Sequence, residues 1–211
     1  MPTTAEFVDT YLRETAEIAL ASSREDLAGV IDTLFQAYRA DRTIYTCGNG
    51  GSAANASHLA CDIAKFTWAE GKRRFRCSSL CDNAALISAL TNDVGFNRIF
   101  LEQLEGRMVE GDVLVLLSVH GGAGADKAGP WSQNLVAAAD FAKKKGGKVV
   151  ALVGYDGGAL RTMADASVVV PRALSGHTST PHVEGFHEIF HHLICERLLQ
   201  LVVAEGPAAE A

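Results

Sequence analysis

Two uninterrupted apolar runs constrain the fold of this chain more than any other feature. They are residues 113–117 (Val-Leu-Val-Leu-Leu) and 149–153 (Val-Val-Ala-Leu-Val). Strands of this composition are buried on both faces, which is typical of parallel sheets covered by helices. The strand candidates are 43–47, 74–79, 113–118, 148–153 and 167–170, and helical segments lie between them near 52–66, 82–91, 97–107, 131–145 and 158–164. This alternation predicts an α/β fold with one open parallel five-stranded sheet flanked by helices.

Two helices precede the first strand. The first is marked by Phe7, Tyr11 and Ile18, and the second by apolar residues at a helical period, namely Leu27, Val30, Ile31, Leu34, Phe35 and Tyr38. Neither helix is needed to connect parallel strands, so their apolar faces are expected to form a subunit interface or to cap a sheet edge. With 211 residues and no repeat or linker, the chain is expected to form a single domain. Its parts are N-terminal helices at 1–41, a sheet core at 42–172, a C-terminal helix at 180–203 and a tail at 204–211.

The overall composition excludes several classes of function. Charged residues make up 21% of the chain and the net charge is -6, so nucleic acid is not an expected partner. No apolar stretch approaches the length of a membrane span, and the first residues do not resemble a signal peptide. The five cysteines are odd in number and form no C-x-x-C pair, which is typical of a protein from a reducing compartment. We therefore expect a cytoplasmic protein without a membrane partner.

A glycine-rich turn follows the first strand candidate and precedes an alanine-rich helix. It comprises Gly48, Asn49, Gly50, Gly51 and Ser52. Backbone N–H groups and the positive end of a helix dipole converge at such a turn, which favours an anion such as phosphate. Ser52 can cap the helix or donate to the phosphate. The pattern matches neither G-x-G-x-x-G nor the P-loop, so an ordinary turn is the alternative.

Two helices carry histidine and carboxylate side chains at helical spacing. His58 and Asp62 are four residues apart on the helix after the turn, and therefore share a face. The C-terminal helix, with Thr180 as expected N-cap before Pro181, places Glu184, Glu188 and His192 on one broad face, with His187 and His191 beside it. Such faces can bind zinc or hold an acid–base pair. A solvated, histidine-rich helix face is the alternative, but two helices of this kind can complete one tetrahedral site.

Three segments resemble the phosphoheptose isomerase family of sugar isomerase (SIS) domain proteins. They read G-N-G-G-S-A-A-N-A-S-H-L-A-C-D, T-N-D-V-G-F and E-G-F-H-E-I-F-H-H-L-I-C-E, and the resemblance covers roughly residues 5–200. It implies a single SIS domain with one zinc ion per subunit, held by His58, Asp62, Glu184 and His192. It also implies that Asn49, Ser52, Asp93 and Glu184 contact the substrate, and that the active sites of a homotetramer form between subunits. The family usually has Glu at position 62 and Gln at position 184.

The resemblance also implies a reaction and a substrate. The family interconverts sedoheptulose 7-phosphate and D-glycero-D-manno-heptose 7-phosphate through a cis-enediol, which needs a base, an acid and stabilisation of an oxyanion. By resemblance, Asp62 is the base and His192 the acid, and the zinc ion stabilises the oxyanion. Asp62 is one methylene shorter than the glutamate of the family, so Glu188 is an alternative base.

The segment after the third strand candidate departs from the family. Where relatives of this type have S-T-S-G-N-S, residues 118–134 form a longer and glycine-rich segment with fewer hydroxyls. Ser118, glycine N–H groups and Lys127 can bind phosphate there. Alternatively, His120 and Trp131 recognise a different phosphosugar or a nucleotide-linked sugar, or Trp131 only packs the loop onto the next helix. A non-catalytic sugar-phosphate sensor or a replication-initiator-associating adaptor is the remaining alternative, but it would not need the four-residue set.

Overall fold

A parallel sheet of five strands forms the centre of the molecule. The computed structural model describes residues 1–122, 131–176 and 179–206. The strands are β1 (Thr43–Gly48), β2 (Arg76–Ser79), β3 (Val113–Ser118), β4 (Lys148–Val153) and β5 (Ala166–Val169), in the spatial order β2-β1-β3-β4-β5. The predicted α/β class and five-stranded parallel sheet are therefore confirmed.

Eight helices surround the sheet within the described residues. They are α1 (Thr4–Ala21), α2 (Arg24–Arg39), α3 (Gly51–Lys65), α4 (Ala84–Val94), α5 (Ile99–Leu104), α6 (Gln133–Lys144), α7 (Gly158–Met163) and α8 (Thr180–Ala204), with a 3-10 turn at Phe96–Arg98. The helix predicted at 97–107 is thus a 3-10 turn followed by a shorter α-helix. The predicted tail is helical up to Ala204, and its residues 207–211 lie outside the described residues.

Each face of the sheet has its own apolar core, because side chains alternate along the buried strands. In β3, Val113, Val115 and Leu117 pack with α1, α2, α3 and α8. Leu114 and Leu116 point the other way and pack with α5, α6 and α7. The run that appears uniformly apolar in sequence is therefore divided between two cores, as expected for a strand covered on both sides.

Several apolar side chains remain exposed on α1 and α4. The helix α2 packs against β5 and α8, whereas α1 leaves Phe7, Val8, Leu12 and Leu20 exposed. The helix α4 buries none of its residues, and Leu86 and Val94 on it are exposed. Within the described residues, no helix is long and apolar enough to cross a membrane.

Two predicted helix starts are wrong by one or two residues. The N-cap of α3 is Gly50, without a side-chain cap, so Ser52 lies inside the first turn and is buried rather than capping. The N-cap of α8 is Ser179, whose hydroxyl accepts from the N–H of His182, and Thr180 is already helical. A Ser-Thr-Pro sequence offers two hydroxyl caps, and Pro181 is tolerated anywhere in the first turn because its N–H would have no helical partner.

We expect Gly121→Ala to lower the free energy of unfolding by about 3 kcal/mol. Gly121 has a φ of +66°, and a Cβ there would lie 1.9 Å from the backbone oxygen of Gly157. The two segments are joined by a backbone hydrogen bond from the N–H of Leu160 to the Gly121 oxygen, 2.8 Å long, so neither can move freely. Urea denaturation measures the loss.

Gly29→Ala is the matched control for this substitution. Gly29 lies inside α2 and a Cβ there would meet nothing within 4 Å. Alanine is expected to raise the free energy of unfolding by about 0.5–1 kcal/mol, because it favours the helix and restricts the unfolded chain. If Gly121→Ala did not lower the free energy of unfolding, the backbone around Gly121 and Gly157 would be able to move apart and the prediction would be wrong.

Candidate active site

The glycine-rich turn lies at the carboxyl end of β1, where ligands of open parallel sheets bind. Gly48 permits the close packing of the turn, because a Cβ there would lie 2.4 Å from the backbone oxygen of Ser52. The Thr46 hydroxyl donates to the backbone oxygen of Ala56, 2.7 Å away, and ties the strand to α3. The role of Gly48 in the structure is therefore one of backbone packing.

Asn49, predicted to contact substrate, is paired with another amide. Its Nδ2 donates to Asn134 Oδ1 at 3.0 Å, and Asn134 Nδ2 donates back to Asn49 Oδ1 at 2.8 Å. Asn134 is fully buried at the start of α6. This pair fixes the turn against the segment after β3. Because the two residues are far apart in the chain, no local sequence pattern reveals the connection.

The carboxylate of Glu184 lies directly over the glycine-rich turn. Its carboxyl carbon and both oxygens lie 2.5 Å from the position that a Cβ on Gly51 would take. The backbone oxygen of Glu184 also accepts a hydrogen bond of 2.8 Å from Asn55 Nδ2. A negative charge therefore already occupies the α3 side of the turn, where the sequence predicts a phosphate.

A cluster of histidine and carboxylate side chains lies between α3 and α8. His58 and Asp62 come from α3, and His191 and His192 come from α8. Their potential ligand atoms all lie within 4.8 Å of one another, so the four groups could together hold a metal ion. The structure thus brings together three of the four predicted metal residues, with His191 in place of Glu184.

Three imidazole nitrogens converge on one carboxylate oxygen in this cluster. Asp62 Oδ2 lies 3.6 Å from His58 Nε2, 3.4 Å from His191 Nε2 and 3.6 Å from His192 Nε2. The Asp62 side chain is 18% exposed and His191 is fully buried, whereas His58 and His192 are 45% and 52% exposed. The cluster is therefore open on the side of His58 and His192.

Glu188 lies against the same histidines. Its Oε1 is 2.6 Å from His58 Nδ1, and its Oε2 is 3.5 Å from His191 Nδ1. The contact with His58 is short enough for a hydrogen bond in which the Nδ1–H donates to the carboxylate. Such a bond leaves Nε2 of His58 without its proton and directed toward Asp62.

The surroundings of the cluster favour a neutral His191 ring and a protonated Cys195 thiol. Burial, together with the imidazoles of His192 and His58, lowers the pKa of His191 against the opposing effect of Glu188 and Asp62. Burial raises the pKa of the nearby Cys195 thiol to about 12, and the charge of Asp62 adds to this. Neutral imidazole binds metal ions, whereas a protonated thiol does not, so the histidines are the better donors here.

Contacts between α3 and α8 show how the two helices are aligned. Glu184 contacts Gly51, Glu188 contacts His58, and His192 contacts Asp62. Both helices therefore run in the same direction away from the glycine-rich turn. The cluster lies about two helical turns, roughly 10 Å, from Gly51 along α3.

The other predicted site residues lie at the carboxyl edge of the sheet or on α4. Asp93 is exposed near the end of α4, and its carboxylate accepts from Asn92 at 2.8 Å. Ser118, at the end of β3, is buried and accepts from the N–H of Gly121 at 3.0 Å. Lys127 lies outside the described residues.

Three aromatic side chains, His120, Trp131 and Tyr155, lie together beyond the ends of β3 and β4, and the sequence predicted only part of this group. The ring of His120 stacks on Tyr155 with centroids 4.7 Å apart and an angle of 7° between planes. Trp131 meets His120 edge-on at 5.5 Å and is itself exposed. Tyr155 has a φ of +52°, which is rare for a residue with a side chain. His120 and Trp131 were singled out by the sequence, and Tyr155 was not.

Comparison with known proteins identifies the family. Residues 7–154 match the SIS domain family model SIS_2. The chain is 40% identical over 188 residues to "Lincomycin biosynthesis protein LmbN" of Streptomyces lincolnensis, covering 89% of this chain and 67% of that protein. It is 34% identical to the phosphoheptose isomerase of Sulfurimonas denitrificans, covering 80% of this chain and 79% of that protein.

A solved structure agrees with these sequence matches. Phosphoheptose isomerase GmhA from Neisseria gonorrhoeae superposes with a TM-score of 0.78 at 27% identity, covering 93% of this chain and 98% of that one. The chain belongs to the SIS domain family. Within that family it groups with the phosphoheptose isomerases, as its motifs predict.

Proposed function

We propose that this chain, a sugar-phosphate isomerase by family, interconverts sedoheptulose 7-phosphate and D-glycero-D-manno-heptose 7-phosphate. The observation that supports this most is the convergence of three imidazole nitrogens on Asp62 Oδ2, on the helix that begins at the glycine-rich turn. Aldose–ketose isomerisation needs proton transfer groups and stabilisation of a negative charge at one end of the substrate. The cluster offers both in one place.

Asp62 and His192 are the proposed proton-transfer residues. The reaction moves a proton between C1 and C2 through a cis-enediol, so a base removes it from one carbon and returns it to the other. The Asp62 carboxylate serves as base through the oxygen that does not hold the metal ion, and the half-exposed His192 donates to the sugar oxygen from Nδ1, because its Nε2 would hold the ion. Glu188 is the alternative base, and its 2.6 Å contact with His58 argues for an orienting role instead.

Zinc, one ion per subunit, is the proposed cofactor. The donor set suits it, since imidazole nitrogens and a carboxylate oxygen are common zinc ligands. Both ring nitrogens of the buried His191 lack a hydrogen-bond partner, and a bound ion would satisfy one of them. When bound, the ion supplies a Lewis acid for the charge that develops on the sugar oxygens. His58, Asp62 and His192 would hold it, together with a fourth residue, Glu184 by resemblance or His191 by geometry.

The substrate phosphate is proposed to bind on the β3 side of the turn. The carboxylate of Glu184 occupies the α3 side and would repel a phosphate there. Ser118 and His120 lie at the carboxyl end of β3, the strand next to β1. In this arrangement Gly50, Gly51, Ser52 and Glu184 face the hydroxyl groups of the sugar, between the phosphate and the cluster.

A homotetramer with active sites between subunits is the proposed assembly. The exposed apolar residues of α1 and of α4, a helix without a fully buried residue, support self-association, because exposed apolar surface can mark an interface. Asp93, exposed near the end of α4, would then reach the site of a neighbouring subunit. A cytoplasmic location remains part of this proposal.

A different phosphosugar is the second candidate substrate. The stacked His120 and Tyr155, with Trp131 at their edge, stand where related enzymes have a Ser/Thr-rich loop. Aromatic faces bind sugar rings or bases rather than phosphate oxygens. The similarity to a protein named for lincomycin biosynthesis also favours a specialised sugar.

Turnover measured across a series of ketose phosphates separates the candidates. The zinc-reconstituted protein is assayed with C5, C6 and C7 ketose phosphates, and with unphosphorylated sedoheptulose as control. We expect the highest kcat/KM with sedoheptulose 7-phosphate, and loss of turnover without the phosphate. Preference for another ketose phosphate would favour the second candidate, and no turnover of any of them would favour the sensor or adaptor.

A further inference from the structure

The group of four residues between α3 and α8 differs from the ligand set that the family resemblance implies. The resemblance selects Glu184 as the fourth ligand beside His58, Asp62 and His192. In the structure, the carboxylate of Glu184 lies against Gly51, one helical turn or about 5.4 Å along α8 from Glu188. His191 is the residue whose ring completes the group of four.

The distances from Asp62 Oδ2 to the three histidines are close to those of a tetrahedral zinc site. With metal–ligand bonds of about 2.0–2.1 Å, two ligand atoms of a tetrahedron are about 3.3 Å apart. The three Nε2–Oδ2 distances of 3.6, 3.4 and 3.6 Å are close to this value. All four potential ligand atoms lie within 4.8 Å of one another, so they can move together around one ion.

His191 is a buried histidine that lies between two carboxylates. Its side chain is fully buried, and neither ring nitrogen makes a hydrogen bond. A buried polar group without a partner costs stability, so such groups are rare unless a ligand satisfies them. Nε2 of His191 faces Asp62 and Nδ1 faces Glu188, which leaves Nε2 for an ion and Nδ1–H for a carboxylate.

Glu188 is placed to orient two of the imidazoles. Its two oxygens lie 2.6 Å from His58 Nδ1 and 3.5 Å from His191 Nδ1. A ligating histidine commonly donates its second N–H to a carboxylate, which fixes the tautomer and the ring orientation. One carboxylate therefore contacts His58 Nδ1 and lies near His191 Nδ1, while the Nε2 atoms of both rings face Asp62.

From this geometry we infer that the divalent cation of this enzyme is bound by three histidines and one carboxylate, His58, Asp62, His191 and His192, with Glu188 as the orienting carboxylate. Glu184 does not bind the cation in this arrangement, and its carboxylate packs against Gly51 of the glycine-rich turn. The inference rests on the proposed use of a divalent cation at this site, and not on which sugar is turned over. The half-exposed His58 and His192 leave one side of the cluster open to a substrate oxygen.

Cation binding by single variants tests the assignment. Zinc affinity is measured by chelator competition for the wild type, His191→Leu and Glu184→Gln, starting from metal-free protein. His191→Leu is expected to weaken binding by about 100-fold or more, since loss of an orienting residue alone costs about 10–100-fold. Glu184→Gln is expected to remain within about threefold. If Glu184→Gln weakened binding as much as His191→Leu, or His191→Leu left it unchanged, the assignment would be wrong.

A second pair of variants tests the orienting role. Glu188→Gln is expected to weaken zinc binding by about tenfold. Glu196→Gln is the matched control, because Glu196 is an exposed carboxylate on the same helix and no part of the cluster. Equal effects of the two substitutions would contradict the role given to Glu188.

X-ray absorption of the zinc-loaded wild type decides the point without any substitution. Three imidazole ligands are expected, whereas the set with Glu184 contains two. Because these measurements record binding and not turnover, failure of the sugar assay would leave the inference standing. A wild-type protein with only two imidazole ligands would overturn the inference and leave the proposed isomerase intact.

Discussion

Asp62→Asn is expected to lower kcat/KM of the zinc-supplied enzyme by about 10³-fold or more, because a general base alone contributes about 10²–10⁴-fold. Asparagine keeps the shape of the side chain but cannot accept the substrate proton. It also removes the negative oxygen toward which three imidazoles point. Zinc content is expected to fall in the same variant, measured by elemental analysis after gel filtration.

Two further variants give this experiment its controls. Asp62→Glu restores the longer side chain that the family usually has, and is expected to retain activity within about tenfold. Asp140→Asn changes an exposed carboxylate on α6 that pairs with Lys144, and is expected to leave turnover unchanged. Asp62→Asn with activity similar to that of Asp140→Asn would exclude Asp62 as the base and shift attention to Glu188.

The strands and the pair of His58 and Asp62 on α3 could be predicted, because each depends on a local sequence pattern. A run such as Val113 to Leu117 can be buried on both faces only as an inner strand, so composition alone determines the element. The spacing of His58 and Asp62 places both on one face of any helix. Neither inference depends on which distant residues lie nearby, and the structure agrees with both.

The rest of the site depends on how α8 lies along α3. Helical periodicity groups Glu184, Glu188, His191 and His192 near one face, but it does not reveal which turn of α8 faces His58. Glu184 and His191 are about two helical turns apart, so the offset between the helices decides which of them joins the cluster. The spacing of Glu188, His191 and His192, at i, i+3 and i+4, was the available signal that these three belong together.

The glycine-rich turn presents a similar ambiguity. Its sequence indicates an anion site, and the structure supplies an anion from the chain itself, since the Glu184 carboxylate lies over Gly51. The side chain that fills the turn comes from the far end of the chain, so no local pattern could reveal it. Local sequence can therefore identify a site for negative charge, but the tertiary structure decides which group occupies it.

The free energy of unfolding is expected to fall by about 3 kcal/mol as the pH is lowered from about 6.5 to about 4, because the buried His187 resists protonation in the folded chain. Burial lowers the pKa of His187 to about 4, and the Val153 backbone, which favours the charged form, only partly opposes this. At neutral pH the ring is neutral in both the folded and the unfolded chain. As the pH falls through about 6.5, the unfolded chain takes up a proton that the folded chain does not, and unfolding is favoured.

His187→Leu separates this effect from the titration of the cluster. The ring is fully buried, so a leucine of similar volume is expected to cost little stability at neutral pH. Urea denaturation of metal-free protein between about pH 7.5 and pH 4.5 should show a much shallower fall for this variant than for the wild type. His120→Gln, which removes an exposed imidazole at the sheet edge, should keep the steep fall. Parallel curves for His187→Leu and the wild type would mean that the ring becomes accessible to protons without unfolding, and α8 would then be loosely packed where it contacts β4.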